Sequence, residues 1–163
     1  MSVAVREHAE SDLEAYCEWQ SDPAVAAFVS WLPRSRTQSE AGLRDAILQQ
    51  RAARRERYFF AVVEPISGDV VGDVGFTVLQ PGVGDCGWFI RRRFWGKGFA
   101  TDAVRQMMVL AFEDVGLQRL VASCAKGNLA SQRVMQKCGF INTHNTADRR
   151  YYSLPKDDWR KNR

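Results

Sequence analysis

No apolar run in this chain approaches the roughly 20 residues that a membrane-spanning helix needs, and its start lacks the basic, apolar and small-residue succession of a secretory signal. A cytoplasmic protein is the expectation, with no membrane partner. Histidine is scarce: His8 and His144 are the only two, too few for an ordinary zinc site, and no C-x-x-C pair makes up the shortfall. The four cysteines, Cys17, Cys86, Cys124 and Cys138, are widely spaced among apolar or strand-forming neighbours. They read as reduced, buried thiols rather than a disulfide framework. No metal is expected. Repeats, low-complexity tracts and linker-like stretches are also missing, so nothing divides the chain.

What is present is one core's worth of apolar residue: 45% of 163 residues are hydrophobic, and a single domain over residues 1–163 is expected. The net charge of +4 comes mostly from arginine and suits an anionic ligand without demanding nucleic acid. The densest basic run, Arg51 to Arg57, is interrupted by alanines and Glu56. It reads as a solvated helix end rather than an RNA site.

Val3 and Val5 alternate with polar residues as a short strand, and Ser11 precedes a helical pattern through Trp19 that Asp22-Pro23 stops. Trp31 to Arg36 reads as a loop around Pro33. Thr37-Gln38-Ser39-Glu40 has the form of a capping box and opens a helix ending near Arg57. Tyr58–Glu64 and Val70–Leu79 form a hairpin around turn residues 65–69, and after a turn at Gly82–Asp85 the segment Cys86–Ile90 forms a further strand. Ala100–Phe112 is helical, Leu120–Cys124 a strand, Asn128–Cys138 a helix, and Phe140 onward with Tyr151–Leu154 a closing strand pair.

The most informative stretch is Arg93-Phe94-Trp95-Gly96-Lys97-Gly98-Phe99-Ala100-Thr101, a glycine loop between a strand and a helix. Glycines let backbone N–H groups turn toward an anion, and the helix start adds unpaired N–H groups and the positive end of its dipole. A pyrophosphate suits such a loop. A Walker loop would need glycine at Arg91 and Ser or Thr at Gly98; a Rossmann fingerprint would need a small residue at Thr101 and a parallel α/β context. Both fail here. Gly96 and Gly98 alone do not separate a cofactor loop from an ordinary turn.

The surrounding residues carry the decision. Arg93, Gly96 and Gly98 match the Arg/Gln-x-x-Gly-x-Gly/Ala loop of the GNAT acyltransferase superfamily, which the sequence resembles. The stretch W-F-I-R-R-R-F-W-G-K-G-F-A-T-D-A and the later N-L-A-S-Q-R-V-M-Q-K-C-G-F, residues 128–140, are similar to the RimJ/RimL branch. The likeness is good over residues 58–154 and loose before them, where only W-x-x-D-P at Trp19–Pro23 matches.

The resemblance implies an α/β (α+β) fold: a mixed, mostly antiparallel central sheet with helices on both faces. Two of its strands, Cys86–Ile90 and Leu120–Cys124, would splay into a wedge for acyl-CoA. It implies cofactor contacts from Phe89, Ile90 and Arg91 at the strand end, from Arg93, Trp95, Gly96, Lys97 and Gly98 in the loop, and from Phe99, Ala100 and Thr101 in the first helical turn. Asn128 and Ser131 would lie beside the thioester. Trp31, Arg34 and Asp85 are the expected acceptor-binding residues.

An amine must attack a thioester in its neutral form; a lysine-like amine is neutral about once in a few thousand molecules at pH 7, an α-amine roughly a tenth of the time. The leaving thiolate needs a proton. Many GNAT enzymes supply it from a tyrosine seven residues after the asparagine, where this chain has Met135. The RimJ/RimL-like serine three residues after the asparagine is Ser131, the candidate acid. Asp148, in the turn before Tyr151, is the favoured base, with Asp85, Asp73 and His144 as other acceptors.

The implied activity is transfer of an acetyl group from acetyl-CoA to a primary amine: a protein or peptide N-terminus, or a small amine such as an antibiotic or polyamine. A non-catalytic acyl-CoA-binding module, which Met135 favours and Ser131 opposes, and an RNA-associated protein using Arg51–Arg57 are the alternatives. Exposed edge strands leave a homodimer open.

Overall fold

The computed structural model describes residues 2–163. β1 (Ala4–Glu7) is followed by three helices, α1 (Leu13–Ser21), α2 (Pro23–Ala26) and α3 (Arg36–Gln49), and then by β2 (Arg57–Val63), β3 (Val70–Gln80) and β4 (Val83–Ile90). The second half runs α4 (Phe99–Val109), β5 (Arg119–Ala125), α5 (Leu129–Lys137), β6 (Ile141–Asn145), β7 (Arg149–Pro155) and α6 (Lys156–Lys161). The seven strands form one sheet in the order β1-β2-β3-β4-β5-β7-β6. All neighbours are antiparallel except β4 and β5, which are parallel. The mixed, mostly antiparallel α/β architecture matches the expectation.

Two apolar layers sandwich the sheet. In α4, Phe99, Ala103, Val104, Met107 and Met108 recur at helical spacing and are buried; with Phe76, Phe112, Leu120, Met135 and Leu154 they form the larger cluster. Full burial of such a side chain stabilises by about 1.5–3 kcal/mol. The smaller cluster, under α1 to α3, contains Tyr16, Trp19, Val25, Leu32 and Leu43.

The feature that positions the site is how briefly β4 and β5 touch. They are in register only at Val83↔Arg119, Gly84↔Leu120 and Asp85↔Val121. Beyond Asp85, β4 continues along β3 to Ile90 and β5 along β7 to Ala125, and the two part into a fork. Arg91 N–H donates to Val71 O at 2.8 Å. By alternation of the antiparallel ladder, Phe89 also faces β3, whereas Trp88 and Ile90 turn their backbone groups into the fork. Lys126 N–H donates to Asp148 O at 2.8 Å, so the same alternation makes Ser123 and Ala125 face the fork from the other side.

Several boundaries differ from the sequence expectation. The N-cap of α3 is Ser35: its Oγ accepts from Gln38 N–H at 3.2 Å, and Gln38 Oε1 accepts from Ser35 N–H at 2.9 Å. The box is thus displaced from Thr37–Glu40, which lie inside the helix. The helix ends at Gln49 rather than near Arg57 because Gln49 Oε1 accepts the amides of Glu56 and Arg57, each at 3.2 Å, steering the chain into β2. The run Arg51–Arg57 is therefore not a helix end, and Arg55 pairs with Glu7 at 2.6 Å and Arg57 with Asp45 at 2.8 Å. The turn expected at Gly82–Asp85 contracts ahead of Val83, which puts Asp85 on the last paired rung of the fork. The closing helix α6 has no counterpart in the sequence reading. No helix among the described residues is long and apolar enough to cross a membrane.

Candidate active site

Past Ile90 the chain makes one 3-10 turn, Arg92–Phe94, and then reaches α4 through two glycines in the left-handed region, Gly96 (φ 77°) and Gly98 (φ 79°). A side chain at such a φ costs about 1–2 kcal/mol, which is why glycine stands at both places. Gly98 is the N-cap of α4 and offers no side-chain cap, and the first helical bond is Asp102 N–H to Gly98 O at 3.2 Å. The amides of Phe99, Ala100 and Thr101 are left for an outside acceptor. Beside them lies a concavity of ≈ 560 Å³ lined in part by Lys97, Thr101, Arg105 and Lys137. Asp102, also on its wall, turns its carboxylate away to accept Val3 N–H at 2.6 Å. Left-handed glycines, free amides and three cations fit a pyrophosphate-bearing ligand.

The flanking side chains divide the work differently from expectation. Arg91 is not an available phosphate ligand. It is 6% exposed, its Nη1 donates to Val70 O at 2.6 Å, and it is ion-paired with Glu18, which ties the loop to α1. Trp95 donates its Nε1–H to Ile90 O at 2.7 Å, so the Ile90 carbonyl is already taken while its N–H still faces the fork. Phe99 has only its backbone to offer a ligand, because its ring is buried in the core. Phe89 is likewise corrected: its amide faces β3, and its ring stacks on Trp19 at 4.5 Å. Trp88 holds the fork-facing position instead. Arg93 stays exposed, with Glu18 at 3.8 Å.

Across the fork, Asn128 caps α5, its Oδ1 accepting from Ser131 N–H at 3.2 Å. The cap is therefore made by Asn128, and the half-buried Ser131 hydroxyl has no hydrogen-bond partner among the described residues. Met135, one turn further, is fully buried in the large core.

The face of the sheet that α1 to α3 leave open holds the expected acceptor residues. Trp31 packs edge-on against Trp19 and Phe89 at 6.4 and 5.4 Å, with the Arg34 guanidinium 4.6 Å above its ring. Asp85, Val121, Ser123, Arg149, Tyr151 and Ser153 share this face through their strand registers. Crowding at the fork pushes the Asp85 carboxyl above its usual pKa, although Arg149 pulls it down. Of the other candidate bases, Asp148 is exposed in the β6–β7 turn and accepts from Thr146 Oγ1 at 3.0 Å, and His144 stacks on Tyr151 at 4.3 Å. Asp73 is buried and held by His8.

A family model described as an acetyltransferase (GNAT) domain matches residues 3–141. The chain belongs to the GNAT acetyltransferase family. It is 24% identical over 144 residues to an uncharacterized N-acetyltransferase, p20, of Bacillus licheniformis, covering 85% of this chain and 78% of that one. Its fold is similar to that of spermidine N-acetyltransferase from Vibrio cholerae in complex with CoA and spermine (TM-score 0.85, 14% identity, 97% and 98% of the two chains). It is also similar to RimL, a ribosomal L7/L12 α-N-protein acetyltransferase in complex with coenzyme A (TM-score 0.83, 17% identity, 97% and 96% covered).

One constellation in this GNAT chain escaped sequence reasoning. His8, buried beside Tyr16, bridges Asp73 on β3 (Nε2 to Oδ2, 2.6 Å) and Asp12 (Nδ1 to Oδ2, 3.4 Å), and Arg6 pairs with Asp12 at 2.8 Å. Burial alone would keep His8 neutral, but the two carboxylates outweigh it and carry the pKa up to about 9. Asp12 shifts the other way: burial is outweighed by Arg6 and His8, which hold it well below the usual carboxylate range. His8 and Asp73 lie 65 positions apart, and only the strand register brings them together.

Proposed function

We propose that this chain transfers an acetyl group from acetyl-CoA to a primary amine. The observation that carries the reading is the fork: β4 and β5 part after Asp85, and the left-handed loop at Gly96 and Gly98 stands at its wide end. Pantetheine lying in the fork would meet the free N–H groups of Trp88 and Ile90 and the backbone of Ser123 as an added strand meets a sheet edge. The phosphates would sit on the amides of residues 99–101, with Lys97, Arg93 and Arg105 in reach.

Acetyl-CoA supplies the activated acyl carbon; the protein supplies position and protons. Forming the N–C bond and breaking the C–S bond requires one proton to leave the amine and one to reach the thiolate. Ser131 is the proton donor to sulfur, its hydroxyl free because Asn128 makes the cap. On the amine side we favour Asp85, on the last rung of the fork, over Asp148 in the β6–β7 turn; both carboxylates are exposed, and position rather than burial separates them. Relatives in fold act on spermidine and on a ribosomal protein, and both kinds of amine are consistent with this chemistry.

The buried Met135 favours a second reading, an acyl-CoA-binding module without turnover. Release of CoA thiol with an amine panel, alongside calorimetry of acetyl-CoA, separates the two. Amine-dependent release supports the transferase; binding without release from any amine leaves the second reading in its place.

A further inference from the structure

We propose that the acceptor is a primary amine that also carries a carboxylate, held with its amine at Asp85 and its anion at Arg149 or Arg119. The proposal rests on the transferase reading and narrows its acceptor.

The open face of the sheet is unequally charged around the fork. Arg119, Val121 and Ser123 follow one another on that face of β5, Val121 being the rung opposite Asp85. Arg119 Nη1 donates to Ser153 Oγ at 2.6 Å, and Arg149 Nη2 donates to Ser123 Oγ at 2.9 Å. The Arg149 guanidinium is thus fastened at Ser123, two residues or roughly 7 Å along β5 from the rung of Asp85, and the Arg119 guanidinium at Ser153, on that same rung but one strand further across. Their fastenings are neutral hydroxyls. A serine fixes where an arginine points without cancelling its charge, whereas Arg55, Arg57 and Arg91 are each matched by a carboxylate. Neither Arg119 nor Arg149 has a carboxylate within ion-pair distance among the described residues. Arg34, over Trp31 at the edge of the same mouth, forms no ion pair either.

Among the β4, β5 and β7 side chains that the registers place on this face, Asp85 is the one carboxylate. A polycation such as spermidine or an aminoglycoside needs several acidic groups and would meet three unmatched arginines; like-charge juxtaposition of that kind works against a partner. An amine with a neighbouring carboxylate meets the opposite: one acidic group for its nitrogen and a bidentate-capable guanidinium for its anion. The carboxylate can belong to a free amino acid or to an acidic side chain next to a peptide's N-terminus. The half-exposed rings of Phe28 and Trp31 offer an apolar wall for the remainder of either.

The experiment is acetyl-CoA-dependent thiol release by the full chain with four acceptor sets: free glutamate and aspartate, a peptide starting Ser-Asp-Glu, the same peptide with lysines in place of the acids, and spermidine with kanamycin. We expect at least tenfold higher kcat/KM for an acid-bearing set than for the lysine peptide and the polycations, and the first two sets show which source is used. Arg149→Glu should reverse the ratio between acidic and lysine peptides with the acetyl-CoA Kd unchanged. Arg149→Gln, which keeps a donor for Ser123, should reduce the ratio and covers the case in which the charge reversal does not fold. Preference for polycations, or a ratio that neither the Arg149 variants nor Arg119→Gln moves, would overturn the proposal alone. Acetyl-CoA binding with no thiol release from any set would overturn the transferase reading and this proposal with it.

Discussion

The ring of Phe28 rests against Gly127: a Cβ on that glycine would lie 3.3 Å from Phe28 Cε1. Phe28 follows α2 and Gly127 follows β5, so the contact joins the helical face to the loop that delivers Asn128, across the mouth of the fork. Phe28→Ala should raise the acceptor KM several-fold with a smaller change in kcat, because it opens the mouth without touching the fork backbone. Steady-state kinetics at saturating acetyl-CoA checks this, and an unmoved KM would remove Phe28 from the acceptor wall.

Gly98→Val combines the left-handed strain of about 1–2 kcal/mol with a side chain projecting where the phosphates are expected. No heavy atom lies within 4 Å of the added Cβ, so the fold has room for it and the ligand does not. Acetyl-CoA affinity by calorimetry should fall at least about tenfold, the loss expected from one well-made contact in the loop. Circular dichroism should stay unchanged.

Ser131→Ala should lower kcat by about a hundredfold, the low end of general acid contributions, with little change in acetyl-CoA Kd. The helix should tolerate it, since Asn128 rather than Ser131 makes the cap. A serine that merely faces solvent would leave kcat where it was.

The His8 cluster predicts a pH dependence of stability. His8 has a folded pKa above its ordinary 6.5, so its contribution is complete below about pH 6.5 and is lost as pH rises through about 9. Asp12, held below its ordinary 3.8, contributes above about pH 4 and loses that contribution as pH falls. Thermal melts of the wild type should therefore decline from pH 6.5 toward 9.5, with Arg6, Asp73 and Tyr16 as the other titratable groups around the ring. In His8→Gln that alkaline decline should flatten. Asp73→Ala should lower the melting temperature at neutral pH, since it takes away the shorter of the two carboxylate contacts of His8 and leaves only Asp12 at 3.4 Å.

How far the sequence reveals this architecture depends on how local the cause is. Gly96, Gly98 and the helix after them were readable because their spacing is itself the device. The helix start at Asn128 was readable for the same reason, the residue lying three positions from the amide it caps. Ser35 was missed in favour of Thr37–Glu40 because both stretches have capping chemistry, and packing on α1, with Ser39 bonded to Gln20 at 2.8 Å, selects between them. Arg91 reads in the sequence as a cofactor contact at the strand end, and its ion pair is hidden there because Glu18 lies 73 positions away. The helix Lys156–Lys161 left a weak signal, Pro155 followed by two acidic and then basic residues, too short to stand out from a tail.

The three rungs that join β4 to β5 make this sheet two leaves on a short spine. Nothing in the backbone ladder stitches the leaves above Asp85, and what lies between them must do so. A molecule with amides along its length can serve as the missing thread, bound by the protein and at the same time closing it. In the free chain the amide hydrogens of Trp88 and Ile90 should then exchange quickly while that of Phe89, pinned to β3, exchanges slowly. With acetyl-CoA present the three should slow together, turning the pair of leaves into one continuous page.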